Sequence, residues 1–119
     1  MSDSPKNLYK KLLGAKGELI AVKFLKTKGY KILHKNYKTK FGEADIIALK
    51  DGITVFVEVK TRTSLKYGTP AEAVNYTKQQ KYRDIANAYL MLNDCKDGQI
   101  SFAVVEVLGD SVNFIENAF

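Results

Sequence analysis

The chain has 119 residues, 45% hydrophobic and 27% charged, with 19 Lys and Arg against 13 Asp and Glu and a single cysteine. A length of this order buries roughly two-thirds of the unfolded surface, so residues 1–119 read as one folded domain without a disulfide framework. Cys95 alone permits no internal bridge and no cysteine-based zinc cluster, and the longest apolar run, Ala88 to Leu92, is far too short to span a bilayer. The stretch Met1 to Lys6 lacks the apolar core of a secretory signal. The expectation is a cytoplasmic protein without membrane association.

The net charge of +6 is unevenly distributed. Residues 1–40 carry 11 Lys against Asp3 and Glu18, whereas residues 41–119 carry 8 basic and 11 acidic groups. A basic lobe beside a mildly acidic one points to a polyanion, with nucleic acid as the expected partner. Lys10, Lys16, Lys23, Lys26, Lys35, Lys38 and Lys40 are its candidate phosphate contacts. The alternative for the same residues is a solvated lysine-rich face that confers solubility.

In chain order, Leu8, Leu12, Ala15, Leu19 and Val22 recur at spacings of three and four, which predicts a helix over 6–28 with that stripe buried. Gly29 ends it. A short strand is expected over 30–36 and two stronger ones over 43–50 and 53–60, joined by Asp51-Gly52, whose residue types favour a two-residue hairpin turn. Thr69-Pro70-Ala71-Glu72 has the pattern of a capped helix start. Thr77-Lys78-Gln79-Gln80 repeats it, so a short helix, a break near Asn75 and a longer helix are expected. Tyr82, Ile85, Ala86 and Tyr89 would form the buried stripe of the longer helix. Strands over 100–107 and 112–115 follow. The order αβββααββ predicts an α/β fold, a mixed sheet flanked by helices.

With a two-residue turn at 51–52, facing positions of the hairpin have numbers summing to 103. Asp45 then lies opposite Glu58 and Glu43 opposite Lys60, all on one side of the sheet. Two opposed carboxylates destabilise a sheet unless a cation lies between them or one keeps its proton. An all-oxygen pair suits a hard cation, Mg²⁺ or Mn²⁺, and Lys60 is placed to orient or help deprotonate an attacking water. Arg62 and Thr61, next along the strand, are further candidates for phosphate contact. The alternative is an exposed sheet face with a Glu43–Lys60 salt bridge.

Asp45, twelve residues and then Glu58-Val59-Lys60 resemble the PD-(D/E)XK signature of the restriction-endonuclease-like superfamily. Gly17-Glu18, Gly29-Tyr30, Asn36, Gly42-Glu43-Ala44-Asp45, Phe56 to Arg62, Gly68, Pro70, Glu72-Ala73-Val74 and Lys78-Gln79 narrow the resemblance to the YraN-like family of small bacterial proteins. Ala103 departs from it, standing where that family usually shows Asp. The resemblance implies a restriction-endonuclease-like core and a metal-dependent nuclease related to Holliday-junction resolvases, which can work as homodimers. It also implies Asp45 and Glu58 as metal ligands, the Val59 carbonyl as a third and Glu18 as a fourth. Lys60 would be catalytic, and Lys78 and Gln79 would meet the phosphate or water. Two other functions fit the same sequence: a non-catalytic nucleic-acid-binding protein on this fold, and a structural or assembly protein binding a protein partner.

Overall fold

The computed structural model describes residues 5–62, 74–93 and 98–119. Helix α1 (Pro5–Thr27) leads into strands β1 (Lys31–Thr39), β2 (Gly42–Lys50) and β3 (Ile53–Arg62), then helix α2 (Tyr76–Leu92) and strands β4 (Gln99–Leu108) and β5 (Ser111–Ile115). The sheet order is β1-β2-β3-β4-β5. Every pairing is antiparallel except β3 with β4, which is parallel. A parallel pair requires a crossover connection, and α2 lies in it. The mixed α/β sheet expected from the sequence is therefore present. The short helix expected from Thr69, together with Gly68 and Cys95, lies outside the described residues.

The two faces of the sheet carry separate cores. On one, Ala21, Val22 and Leu25 of α1 pack on Ile46, Ala48, Val55, Val57, Ala103, Val105 and Val107. On the other, Tyr82, Ile85, Ala86 and Tyr89 of α2 pack on Ala44, Ile47, Phe56 and Phe102. The second stripe is the one expected; of the stripe expected on α1, only Val22 is in the first core. Leu8, Leu12 and Leu19 are 50%, 62% and 59% exposed, while Gly17, Ala21 and Leu25 are buried. The helix is apolar on two sides, and the side with the small residues meets the sheet because small residues allow close approach. A Cβ on Gly17 would stand 2.1 Å from Thr61 Oγ1 on β3.

Local chemistry explains the element ends. Gly29, at φ +90°, closes α1, and the Tyr30 N–H returns to the Leu25 carbonyl. Asp51 and Gly52 both have positive φ, and the pairs from Ile46–Val57 to Lys50–Ile53 hold the expected register. The N-cap of α2 is Asn75, not Thr77. Its side-chain oxygen accepts the Lys78 N–H at 2.9 Å, which an amide oxygen does as well as a hydroxyl. No helix among the described residues is long and apolar enough to cross a membrane.

Candidate active site

The β2–β3 ladder stops at Ile46–Val57, whereas β3 continues to pair with β4 as far as Arg62–Leu108. The two central strands thus part at Asp45 and Glu58. Asp45 spans the gap with its side chain: Oδ2 accepts the Val59 N–H at 2.8 Å. This separation corrects both facing pairs expected from the register, Asp45–Glu58 and Glu43–Lys60, since neither belongs to the β2–β3 ladder. Glu43 pairs with Lys38 of β1, and Lys60 pairs with Glu106 of β4.

Glu58 lies on the α2 side of the sheet and is 5% exposed. Its carboxylate accepts the Tyr82 hydroxyl and is paired with Lys78, both from α2, and Lys60 Nζ lies 3.5 Å away. Burial alone would raise its proton affinity. The hydrogen bonds from Lys78 and Tyr82 and the charges of Lys78 and Lys60 outweigh that, so Glu58 titrates below the ordinary glutamate value.

Asp45 behaves oppositely. Burial, and then the negative charge of Glu58, push its carboxyl up to about 7, against the lowering effect of the Val59 N–H. Glu18 on α1 adds to the rise, so its charge is felt at Asp45. Glu18 follows Gly17, the residue at which α1 lies directly against Thr61. Among the described residues, however, no group of three or more Asp, Glu, His or Cys side chains gathers closely enough to hold a metal ion. Asp45 and Glu58 therefore stand as a two-carboxylate pair.

The two lysines also diverge. Burial, and then the neighbouring Lys78, lower the proton affinity of Lys60. Burial opposes the charge of Lys78 too, but the Glu58 hydrogen bond and charge more than offset it, and Lys78 is raised. Two acids and two bases whose environments separate their titrations make a group suited to proton transfer and anion binding.

The remaining expected residues fall in different places. The Gln79 amide donates to the Val74 carbonyl at 3.0 Å, at the start of α2. Arg62 Nε lies 3.7 Å from Glu106 Oε2. Lys16, Lys23 and Lys26 are exposed on α1, Lys35 and Lys38 on the edge strand β1, and Lys40 beyond its end, with its ammonium 5.2 Å from the Phe41 ring centre. Lys10 is on α1, its side chain outside the described ones. Lysines on β1 also guard a sheet edge against pairing with other chains. Tyr30 is core, and the lone histidine, His34, is exposed and packs edge-on against Tyr89.

Two residues of this region were not identified from the sequence. Tyr82 was legible as core but not as the hydroxyl that holds Glu58, although a buried tyrosine normally needs a partner for its O–H. Glu106 is 3% exposed in an otherwise apolar strand. A single acid in the run Phe102 to Val107 was the available signal.

A family model described as "Uncharacterised protein family UPF0102" matches residues 17–107. A UPF0102 protein of Caldanaerobacter subterraneus subsp. tengcongensis is 48% identical over 96% of this chain and 99% of its own length. Others from Alkaliphilus oremlandii and Caldicellulosiruptor saccharolyticus are 49% and 46% identical, over 92% and 94% of this chain and 98% and 100% of theirs.

Proposed function

From a chain that belongs to the UPF0102 family and holds Asp45, Glu58 and Lys60 where two central strands part, we propose a metal-dependent nuclease of the restriction-endonuclease-like superfamily. It would hydrolyse phosphodiester bonds in nucleic acid. The observation that carries this reading is the Asp45–Glu58 pair. Two acids share a largely buried site, and one of them is driven to retain its proton near neutral pH. A site that only bound polyanions would gain nothing from paired acids, which repel phosphate.

The donor set fits a hard divalent cation, Mg²⁺ or Mn²⁺, held by Asp45 and Glu58 with the Val59 carbonyl as a backbone oxygen. When bound, such an ion supplies positive charge against the phosphate and lowers the pKa of water. Tyr82 and the Val59 N–H fix the two carboxylates, which spares reorganisation during reaction. Lys60, its proton affinity lowered, is the group suited to orient the attacking water and to hold or pass on a proton at Nζ. Lys78 neutralises Glu58 and stands ready to meet phosphate. The basic α1 and β1 surfaces would steer the polyanion toward this end of the sheet.

One observation favours a second reading, a non-catalytic nucleic-acid-binding protein. Glu58 is already balanced by Lys78, Lys60 and Tyr82 without any ion. Incubation of the purified protein with single-stranded, duplex and branched DNA and with RNA, in Mg²⁺, Mn²⁺ or EDTA, separates the two. Metal-dependent cleavage supports the nuclease. Binding without cleavage under all conditions supports the second reading.

A further inference from the structure

Glu58, Lys60 and Arg62 occupy alternate positions of β3, so their side chains share the α2 face. Residues two apart on a strand are about 6.6 Å apart, close to the spacing of consecutive phosphates along a nucleic-acid strand. Arg62 therefore stands about one phosphate spacing from Lys60 along the strand. Glu106 lies directly across from Lys60 in the parallel ladder and faces Arg62 from β4. Its side chain is 4% exposed, against 20% for that of Arg62. The Nε···Oε2 separation is 3.7 Å, and among the described residues neither of these buried atoms has a hydrogen bond.

A buried carboxylate and guanidinium nitrogen held apart in this way are poor contributors to stability, since both lose water and neither gains a hydrogen bond. The arrangement makes sense as a hold on direction. A negative charge behind Nε fixes the side chain, and a guanidinium has further N–H groups on its other edges that can grip an anion in a fork. We infer that Glu106 is a positioning residue that aims Arg62 at the phosphate next to the one addressed by Lys60. The inference rests on the nucleic-acid reading above but not on cleavage. Its ligand is the sugar–phosphate backbone of a strand, whatever the base sequence.

The test is anisotropy titration of a fluorescein-labelled single-stranded oligonucleotide in EDTA, at several salt concentrations, with wild type, Arg62→Ala, Glu106→Gln and the double variant. Arg62→Ala should weaken binding roughly threefold to tenfold and flatten the log–log salt slope by about 0.7. Glu106→Gln should weaken binding in the wild-type background and change nothing in the Arg62→Ala background. Simple removal of a negative charge would strengthen binding in both. That result, or a Glu106→Gln affinity equal to wild type, overturns the inference while leaving the nucleic-acid reading intact. If Glu106→Gln does not fold, Glu106→Asp keeps the charge on a shorter arm. It should show an intermediate loss of affinity and slope, and wild-type behaviour overturns the inference. A wild type that binds no oligonucleotide at low salt overturns both this inference and the proposed function. Binding with the expected coupling but no cleavage in metal upholds the inference and removes the nuclease alone.

Discussion

The Asp45 carboxylate accepts the Val59 N–H at 2.8 Å, just beyond the last paired residues of β2 and β3. An acid side chain thus replaces the ladder where the strands separate, which brings Asp45 beside Glu58 at the cost of two carboxylates in a poorly solvated space. The electrostatics of the site follow from this exchange.

The first consequence is a dependence of stability on pH. In the unfolded chain Asp45 titrates near the ordinary carboxylate value of about 4; in the fold it is pushed up to about 7. Below pH 4 both states hold the proton and Asp45 costs nothing. Between pH 4 and 7 the unfolded state releases its proton first, so stability falls as pH rises, and above 7 the loss is complete. Asp45→Asn retains an acceptor for Val59 and removes the charge. It should stabilise the protein by roughly 1–3 kcal/mol at pH 8 and by almost nothing at pH 4. Urea unfolding at the two pH values checks this, and an equal effect at both would contradict the proton retention at Asp45.

A cation between the acids should offset the same cost. At a Mg²⁺ or Mn²⁺ concentration ten times its Kd, mass action adds about 1.4 kcal/mol to stability. The melting temperature of wild type should rise by roughly 4–8 °C and that of Asp45→Asn should not. Differential scanning fluorimetry with metal and with EDTA reads the difference.

Tyr82→Phe isolates the hydroxyl that holds Glu58. The ring stays in the core, but a charged acceptor loses a donor, so the loss should be roughly 1.5–3 kcal/mol by chemical denaturation. Burial then counts for more at Glu58, whose proton affinity should rise. If the stability of Tyr82→Phe equals that of wild type, the hydroxyl contributes nothing to fixing the acid.

Gly17→Ala tests the approach of α1 to the site. The added Cβ would fall 2.1 Å from Thr61 Oγ1, so the Thr61 side chain, the helix or the strand must shift, at a cost of roughly 1–3 kcal/mol. Thr61→Ala combined with it removes the hydroxyl and should restore part of the loss. Independent, additive effects of the two substitutions would show that the contact is not what places the helix.

Gly17 also shows where sequence reasoning succeeded and where it did not. The hairpin was legible because Asp51-Gly52 is a local signal and a period of two then fixes which side chains share a face. The buried face of α1 was misread except at Val22, because Leu8, Leu12 and Leu19 outweigh Gly17 and Ala21 on any scale of hydrophobicity, while close packing on a sheet selects for small size. The point of strand separation was not legible, since the register arithmetic carries on past Asp45 while the backbone does not. Tyr82 and Glu106 were unreadable as site residues for a related reason. One depends on how α2 lies over β3, and the other on the parallel pairing of β3 with β4, both set by contacts distant in sequence.

The last prediction separates the roles of the charged residues in cleavage. Asp45→Asn or Glu58→Gln should remove metal affinity and cleavage together, yet leave nucleic-acid binding equal or tighter, because each removes a negative charge beside the phosphate. Lys60→Ala should lower cleavage by about 10²-fold or more, the usual magnitude for loss of a positioned acid–base group. Metal-dependent stabilisation should survive in Lys60→Ala, since Lys60 is not a ligand and Lys78 still balances Glu58. Because burial and Lys78 push the Lys60 ammonium down, wild-type cleavage at metal concentrations that saturate the Asp45–Glu58 pair should also rise with pH as Lys60 loses its proton, and under those conditions that limb should be absent from the residual activity of Lys60→Ala. Single-turnover cleavage of a labelled oligonucleotide across pH, with metal-dependent melting measured in parallel, resolves these outcomes. If Lys60→Ala cleaves at the wild-type rate, or loses metal stabilisation as Asp45→Asn does, Lys60 does not have the role assigned to it.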